Sequence, residues 1–361
     1  MNDASLTELL DEAYRCAMGG ELERARQAVA AARQWRPVAK GSAESMEVML
    51  VEGVVHTYCG ETDAARDRFR RVIALGPLVP QSEAPLQAWA WQALLDYNQG
   101  QVLAAAESLA RACAQPERAG PRTRMRASVN AALLCEYSGQ RTAAKSWVAA
   151  ARRAAPDCGV PGLTSLVVYG LAAVRVTEAA VDNLRSKVAP SNASALLMQV
   201  QSAINYDTAV GVVAQPTLHL LVQAMALRLA DRPTEAIPLL EEFVATDRLT
   251  AETDRLSARV ELIACQLQAD PHFHSAASAE WLERSARSLV DPGERAHAYL
   301  LLNELCMRAK VVPSEDWAAK ASLELSQHDT RRSALAGRLG ELGLTTVPQP
   351  WAVPATAVSN R

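Results

Sequence analysis

The chain has 361 residues, 49% of them hydrophobic but only 5% aromatic, and a formal net charge of −3. That balance argues against a duplex-wide nucleic-acid surface, which leaves a strongly basic domain. Seven cysteines with no CxxC pair argue against a disulfide framework and for a reducing, cytoplasmic compartment.

The N-terminal stretch MNDASLTELLDEAY carries acids and no apolar core, so it is not expected to act as a secretory signal. A slow rhythm of glycines follows: Gly20, Gly60, Gly100 and Gly139, at steps of 40, 40 and 39 residues. Five positions after each comes an alanine: Ala25, Ala65, Ala105 and Ala144. Seven further on stands a small or β-branched residue: Ala32, Val72, Ala112 and Ala151. A proline closes each unit: Pro37, Pro77, Pro116 and Pro156. A period of this length signals stacked supersecondary units.

One unit shows the logic. Met49, Gly53 and His56 recur at helical spacing, and Gly60 ends that helix where a left-handed backbone is cheap only for glycine. Glu61, Thr62 and Asp63 offer a capping side chain for a second helix. That helix carries Ala65, Phe69 and Val72 on one stripe and stops at Pro77. The unit reads as an antiparallel helix pair that needs neighbours on both sides.

These positions resemble the tetratricopeptide repeat. Gly53, Gly60, Ala65, Phe69 and Pro77 follow its pattern, as do Ala13, Gly20, Ala25, Ala32 and Pro37. Ala93, Gly100, Ala105 and Ala112 follow it in the third unit, with Pro116 one position early, and Ala132, Gly139, Ala144, Ala151 and Pro156 in the fourth. A later unit around Ala224, Leu227, Ala236, Leu240 and Phe243 follows it loosely, with Asp231 in place of the turn glycine. The standard repeat has about 34 residues, and the surplus here lies between the terminal proline and the next helix. In that length the units are similar to repeats of bacterial sensor-regulators, such as the maltose-regulator type and quorum-sensing peptide receptors. The resemblance implies an all-α, right-handed superhelix of antiparallel helix pairs, regular over 1–157 and degenerate over 158–344.

Beyond the regular units, Val160, Pro161 and Gly162 break the chain, and helices are expected over 163–175 and 178–188. Further helices are expected after Pro190 and after Gln215, over 253–268 and 276–289, and in a last pair over 295–310 and 314–327. Residues 345–361, with Pro348, Pro350 and Pro354, read as a loose tail. The apolar stretch 160–181 is interrupted by Arg175 and Glu178 and is too polar for a membrane span.

The resemblance places Tyr14, Tyr58, Leu94, Tyr97, Asn98, Arg126, Leu133 and Tyr137 on the concave wall, as contacts for a protein or peptide segment. Tyrosines suit that role, joining a large apolar face to a hydroxyl; the other reading has them packed against the next repeat. The wall is apolar, with almost no lysine, and lacks the family's carboxylate clamp of lysines, arginines and asparagines, so a C-terminal carboxylate ligand of the chaperone-tail kind is not expected. Arg111, Arg118, Arg122, Arg124 and Arg126, near Trp89 and Trp91, read first as a solvated run and second as a grip for an acidic segment or phosphate. His272, His274, Glu280 and Glu283 match no zinc spacing, His56 and His219 read as structural, and no metal or cofactor is expected.

No nucleophile or phosphate-loop motif appears. The expected function is a non-enzymatic cytoplasmic adaptor or regulator binding a protein or peptide in the groove, without nucleic acid or membrane. A ligand-sensing subunit of a bacterial signalling system is the first alternative. An enzyme using Asp182, Asn183, Asn205, Tyr206 and Asp207 is the second. Leu323, Leu325, Leu335, Leu339 and Leu342 are a candidate surface for a second copy.

Overall fold

The periodic glycines end helices by taking a backbone that other residues adopt at a cost. Gly20, Gly60, Gly100 and Gly139 have φ of 78°, 74°, 68° and 81° in the computed structural model. It describes residues 5–35, 41–160, 163–186, 190–210, 216–245 and 252–352. Pro37, the break at Pro161 and Gly162, Val188, Gln215 and the end of the chain from 353 lie outside the described residues.

The described residues are mostly helical, with no strand among them. In chain order the helices are α1 (Leu6–Met18), α2 (Leu22–Gln34), α3 (Ala43–Tyr58), α4 (Thr62–Leu75), α5 (Ala84–Asn98), α6 (Val102–Ala112), α7 (Pro121–Tyr137) and α8 (Arg141–Ala154). They continue as α9 (Leu163–Ser186), α10 (Ala193–Val210), α11 (Pro216–Leu229), α12 (Pro233–Ala245), α13 (Glu252–Ala269), α14 (Ala276–Ser285), α15 (Pro292–Ala309) and α16 (Trp317–Glu341). None is long and apolar enough to cross a membrane. The chain divides into two compact units: unit 1 comprises 1–170, 206–215 and 334–361, and unit 2 comprises 171–205 and 216–333.

In unit 1, α1 packs on α2, α3 on α4, α5 on α6 and α7 on α8. The first helices of successive pairs also touch, α1 on α3, α3 on α5 and α5 on α7. On the second helix of each pair, the periodic positions after the glycines, Ala25, Ala32, Ala65, Val72, Ala105, Ala112, Ala144 and Ala151, are each 0% exposed. Small side chains there let helix axes come close. Gly53 shows how close, since a Cβ on it would sit 2.5 Å from the Phe69 ring.

One local expectation is corrected. No side chain caps α4: its N-cap residue is Glu61, without a capping bond. The Glu61 carboxylate instead pairs with His56 and with Arg26 in α2, the latter at 2.6 Å. Gly60 turns the chain without help.

Residues 334–352 pack with unit 1. Arg338 reaches Glu107 of α6 at 2.6 Å, and the Trp147 indole N–H donates to the Leu344 carbonyl at 2.8 Å. Trp351 is buried, donates from its indole to the Pro116 carbonyl at 2.8 Å and meets Trp147 edge to face. The stretch read as a loose tail from 345 is therefore packed as far as Trp351. Leu335 and Leu339 are fully buried without a second copy, whereas Leu323 is 60% exposed.

Unit 2 contains the loosest repeat. Asp231 adopts φ 59° at the turn between α11 and α12, doing the job of a glycine. Helix α13 packs on α12 and α11, and α15 packs on α13 and α14. Val260, Ile263, Leu282, Tyr299, Leu302 and Trp317 form its core, with Tyr299 and Trp317 stacked 5.7 Å apart.

Two expected helix ends are corrected. Helix α9 runs unbroken through Val176 and Thr177, because no Gly or Pro interrupts the apolar spacing of Val174, Val176, Ala179 and Val181. Helix α16 continues to Glu341, well past Gln327, because the buried Ala321, Leu335 and Leu339 give it packing along its whole length.

Candidate functional site

Tyr58 ends α3, Tyr97 and Asn98 end α5, and Tyr137 ends α7, each two or three residues before a turn glycine. The repeat thus sets them at equivalent points of neighbouring helices. Tyr97 and Tyr137 meet edge to face, with ring centroids 6.5 Å apart and planes at 89°. Tyr58 meets Trp91 in the same manner at 6.0 Å.

The eight sequence-predicted residues separate by exposure. Tyr58, Leu94 and Tyr97 are half-buried and Asn98 is exposed. Leu133 and Tyr137 are buried, and Tyr14 and Arg126 are 1% and 3% exposed. The last two are brought together because the N-terminal end of α7 reaches α1. Arg122 pairs with Asp11 at 2.8 Å and lies 4.3 Å over the Tyr14 ring. Arg126 lies 4.0 Å over the face of Trp91, and its Nη2 donates to the Tyr58 hydroxyl at 3.2 Å. Burial pushes the Tyr14 hydroxyl to a higher pKa, against the lowering pull of the Arg126 charge.

The rest of the arginine run is held by its own chain. Arg111 stacks on Trp89, Arg118 donates to the Ser82 carbonyl at 2.8 Å, and Arg124 donates to the Ala119 carbonyl at 2.8 Å. Arg126 differs in being buried, again with no carboxylate partner among the described residues.

Of the residues of the enzyme alternative, Asp182, Asn183 and Asn205 belong to unit 2, and Tyr206 and Asp207 to unit 1. His272 and His274 occupy an exposed turn, where the His274 ring contacts the His272 carbonyl. Among the described residues, no three His, Cys, Asp or Glu side chains are gathered as metal ligands.

Unit 2 contains a buried ionic network that the sequence reading missed. Glu261 of α13 takes a forked pair of bonds from Arg228 of α11, at 2.6 and 3.2 Å, and lies 3.3 Å from Nδ1 of His297 in α15. Burial opposes its charge, but Arg228 and His297 outweigh burial and hold its pKa at about 2. Ser257 donates to Glu294 at 2.8 Å, and burial with the nearby Asp291 charge pushes that carboxyl up to about 8. His328 of α16 is fully buried between Glu178 at 3.4 Å and Asp291 at 3.5 Å. Burial disfavours its charged form, yet Asp291 and Glu178 together raise it to about 9. The signal for the network was a lone arginine, Arg228, inside the otherwise apolar run of α11.

Beside this network lies a cavity of about 20 Å³, bounded by Thr177, Val181, Met225, Ser257, Glu294 and His297 among others. It has room for a water molecule and not for an organic ligand. No protein-family model matches the chain, and no curated protein matches it in sequence.

Proposed function

We propose that the four helix pairs of unit 1 form a tetratricopeptide-like right-handed superhelix, that the wall made by α1, α3, α5 and α7 binds a protein or peptide segment, and that the protein works as a non-enzymatic adaptor or regulator. The observation that carries this reading is the graded exposure at the C-terminal ends of consecutive helices. Tyr58, Leu94 and Tyr97 keep part of their surface open and Asn98 is exposed, while Tyr137 is buried edge to face against Tyr97.

Such a row offers apolar ring surface for burial and polar tips for orientation, the composition favoured at the centre of binding interfaces. The apolar area covered by an incoming segment supplies the affinity, and Asn98 fixes its main chain by hydrogen bonds.

The test is copurification from the native host with wild type and with the double variant Tyr97→Ala/Asn98→Ala. A partner recovered with wild type and lost with the variant, at unchanged thermal stability, supports the reading. Equal recovery by both proteins sinks it.

A further inference from the structure

Two arginines of this chain are buried to nearly the same degree: Arg228 is 6% and Arg126 is 3% exposed. Arg228 is answered by the forked carboxylate of Glu261. Arg126 is answered by no carboxylate among the described residues. Its partners are the Tyr58 hydroxyl at 3.2 Å, the Met18 sulfur at 3.8 Å and the face of Trp91 at 4.0 Å. Its Nε–H is buried without an acceptor, and the buried Tyr14 hydroxyl also lacks a hydrogen-bond partner.

Among the acids around the neighbouring Arg122, burial and the Glu44, Glu83 and Asp11 charges raise the pKa of Glu47, and two others have partners of their own. Asp11 pairs with Arg122, and Glu83 accepts from the Gly120 backbone and, at 3.1 Å, from the Thr123 hydroxyl. A guanidinium out of water without a counter-charge is strongly unfavourable, and a ring face offsets only part of that cost. The planar N–H fork of arginine matches two oxygens of one group better than it matches a halide.

We infer that Arg126, with the hydroxyls of Tyr14 and Tyr58, anchors an oxyanion site on the inner wall of unit 1, which takes a carboxylate or phosphate group from the bound segment or from a small free anion. The inference deepens the binding reading above and rests on it for the bound segment; the anion site itself is testable alone. Glu261 supplies to Arg228 from within the chain what a ligand supplies to Arg126 from outside.

The experiment uses the full chain. Melting temperature is followed against added sodium acetate, inorganic phosphate, hexaglutamate and hexaglutamine, each with sodium chloride at equal ionic strength as reference. Acetate, phosphate or hexaglutamate is expected to raise the melting temperature of wild type above the reference, and hexaglutamine is not. Arg126→Met is expected to abolish the rise and to melt no lower than wild type in chloride, since it removes a buried uncompensated charge. Should that variant fail to fold, Arg126→Lys, which keeps the charge but loses the fork, is expected to bind about tenfold more weakly.

A rise with acetate or phosphate alone assigns the site to a free anion, and a rise with hexaglutamate alone assigns it to an acidic segment. No rise with any probe, or an equal rise in wild type and the Arg126 variants, overturns the site. Partner capture that survives in Arg126→Met leaves the binding wall standing when the anion site falls. Capture lost in Tyr97→Ala/Asn98→Ala with the anion response intact shows the two to be separate.

Discussion

The side-chain amide of Asn130 in α7 donates to the main-chain carbonyl of Ala90 in α5 at 2.7 Å, joining two points 40 residues apart. That separation is one full period, so the bond ties a repeat to the equivalent place in the repeat before it. Replacing Asn130 with alanine removes a buried hydrogen bond worth about 1 kcal/mol and opens a small space. The urea midpoint is expected to fall relative to wild type.

Gly53 and Gly60 are both glycines of one repeat, but for different reasons. Nothing lies within 4 Å of a Cβ added to Gly60, whose φ is 74°, so Gly60→Ala is expected to cost about 1–2 kcal/mol through backbone strain alone. Gly53→Ala drives a methyl into the Phe69 ring and is expected to cost about 1–3 kcal/mol through overpacking. Only the second is expected to be partly rescued by Phe69→Leu. Denaturation of the single and double variants as a mutant cycle reads the difference directly.

In unit 2, Glu261→Gln strands the buried Arg228 and weakens its link to His297. Stability is expected to fall by about 3–5 kcal/mol. The double variant Arg228→Met/Glu261→Leu is expected to recover most of that loss, since an apolar pair carries no desolvation penalty. Thermal denaturation of the three proteins checks the order: wild type and the double variant close together, the single variant far below.

The pH dependence of unit 2 follows from two shifted groups. Glu294 holds its proton when folded up to about pH 8 but releases it near 4.5 when unfolded. Between those values the folded state binds more protons, so its contribution to stability declines as pH rises, by at most about 1.4 kcal/mol per pH unit. His328, raised from 6.5 to about 9, gives its full contribution below 6.5 and loses it as pH climbs through 9. The Glu294 loss runs from about pH 4.5 to 8 and the His328 loss from 6.5 to about 9. Melts from pH 6 to 9 are expected to show falling stability, and Glu294→Gln is expected to flatten the lower part of that slope.

Much of unit 1 was legible because its information is local and periodic. Gly60 and Ala65 announce a turn and a helix crossing without reference to anything distant. The exposure of the wall residues was not legible, because it depends on a long-range approach: Arg122 and Arg126 bury Tyr14 only because α7 returns to α1, more than a hundred residues earlier in the chain. The continuity of α9 and the length of α16 were missed for a related reason, since packing far along the chain sustains a helix whose local sequence offers no clear stop. The ionic network of unit 2 joins α9, α11, α13, α15 and α16, and no spacing rule connects Arg228 to Glu261 or Glu178 to His328.

The binding wall is tested most directly by a photo-crosslinking amino acid placed at position 98, in the native host, with position 71 on α4 as the control. Both side chains are exposed, but only Asn98 stands at the end of α5 beside Tyr97. A covalent adduct with another polypeptide is expected from position 98, absent from position 71 and lost when Tyr97→Ala is added. Equal adducts from both positions, or none from position 98, would contradict a partner held along the first helices of unit 1.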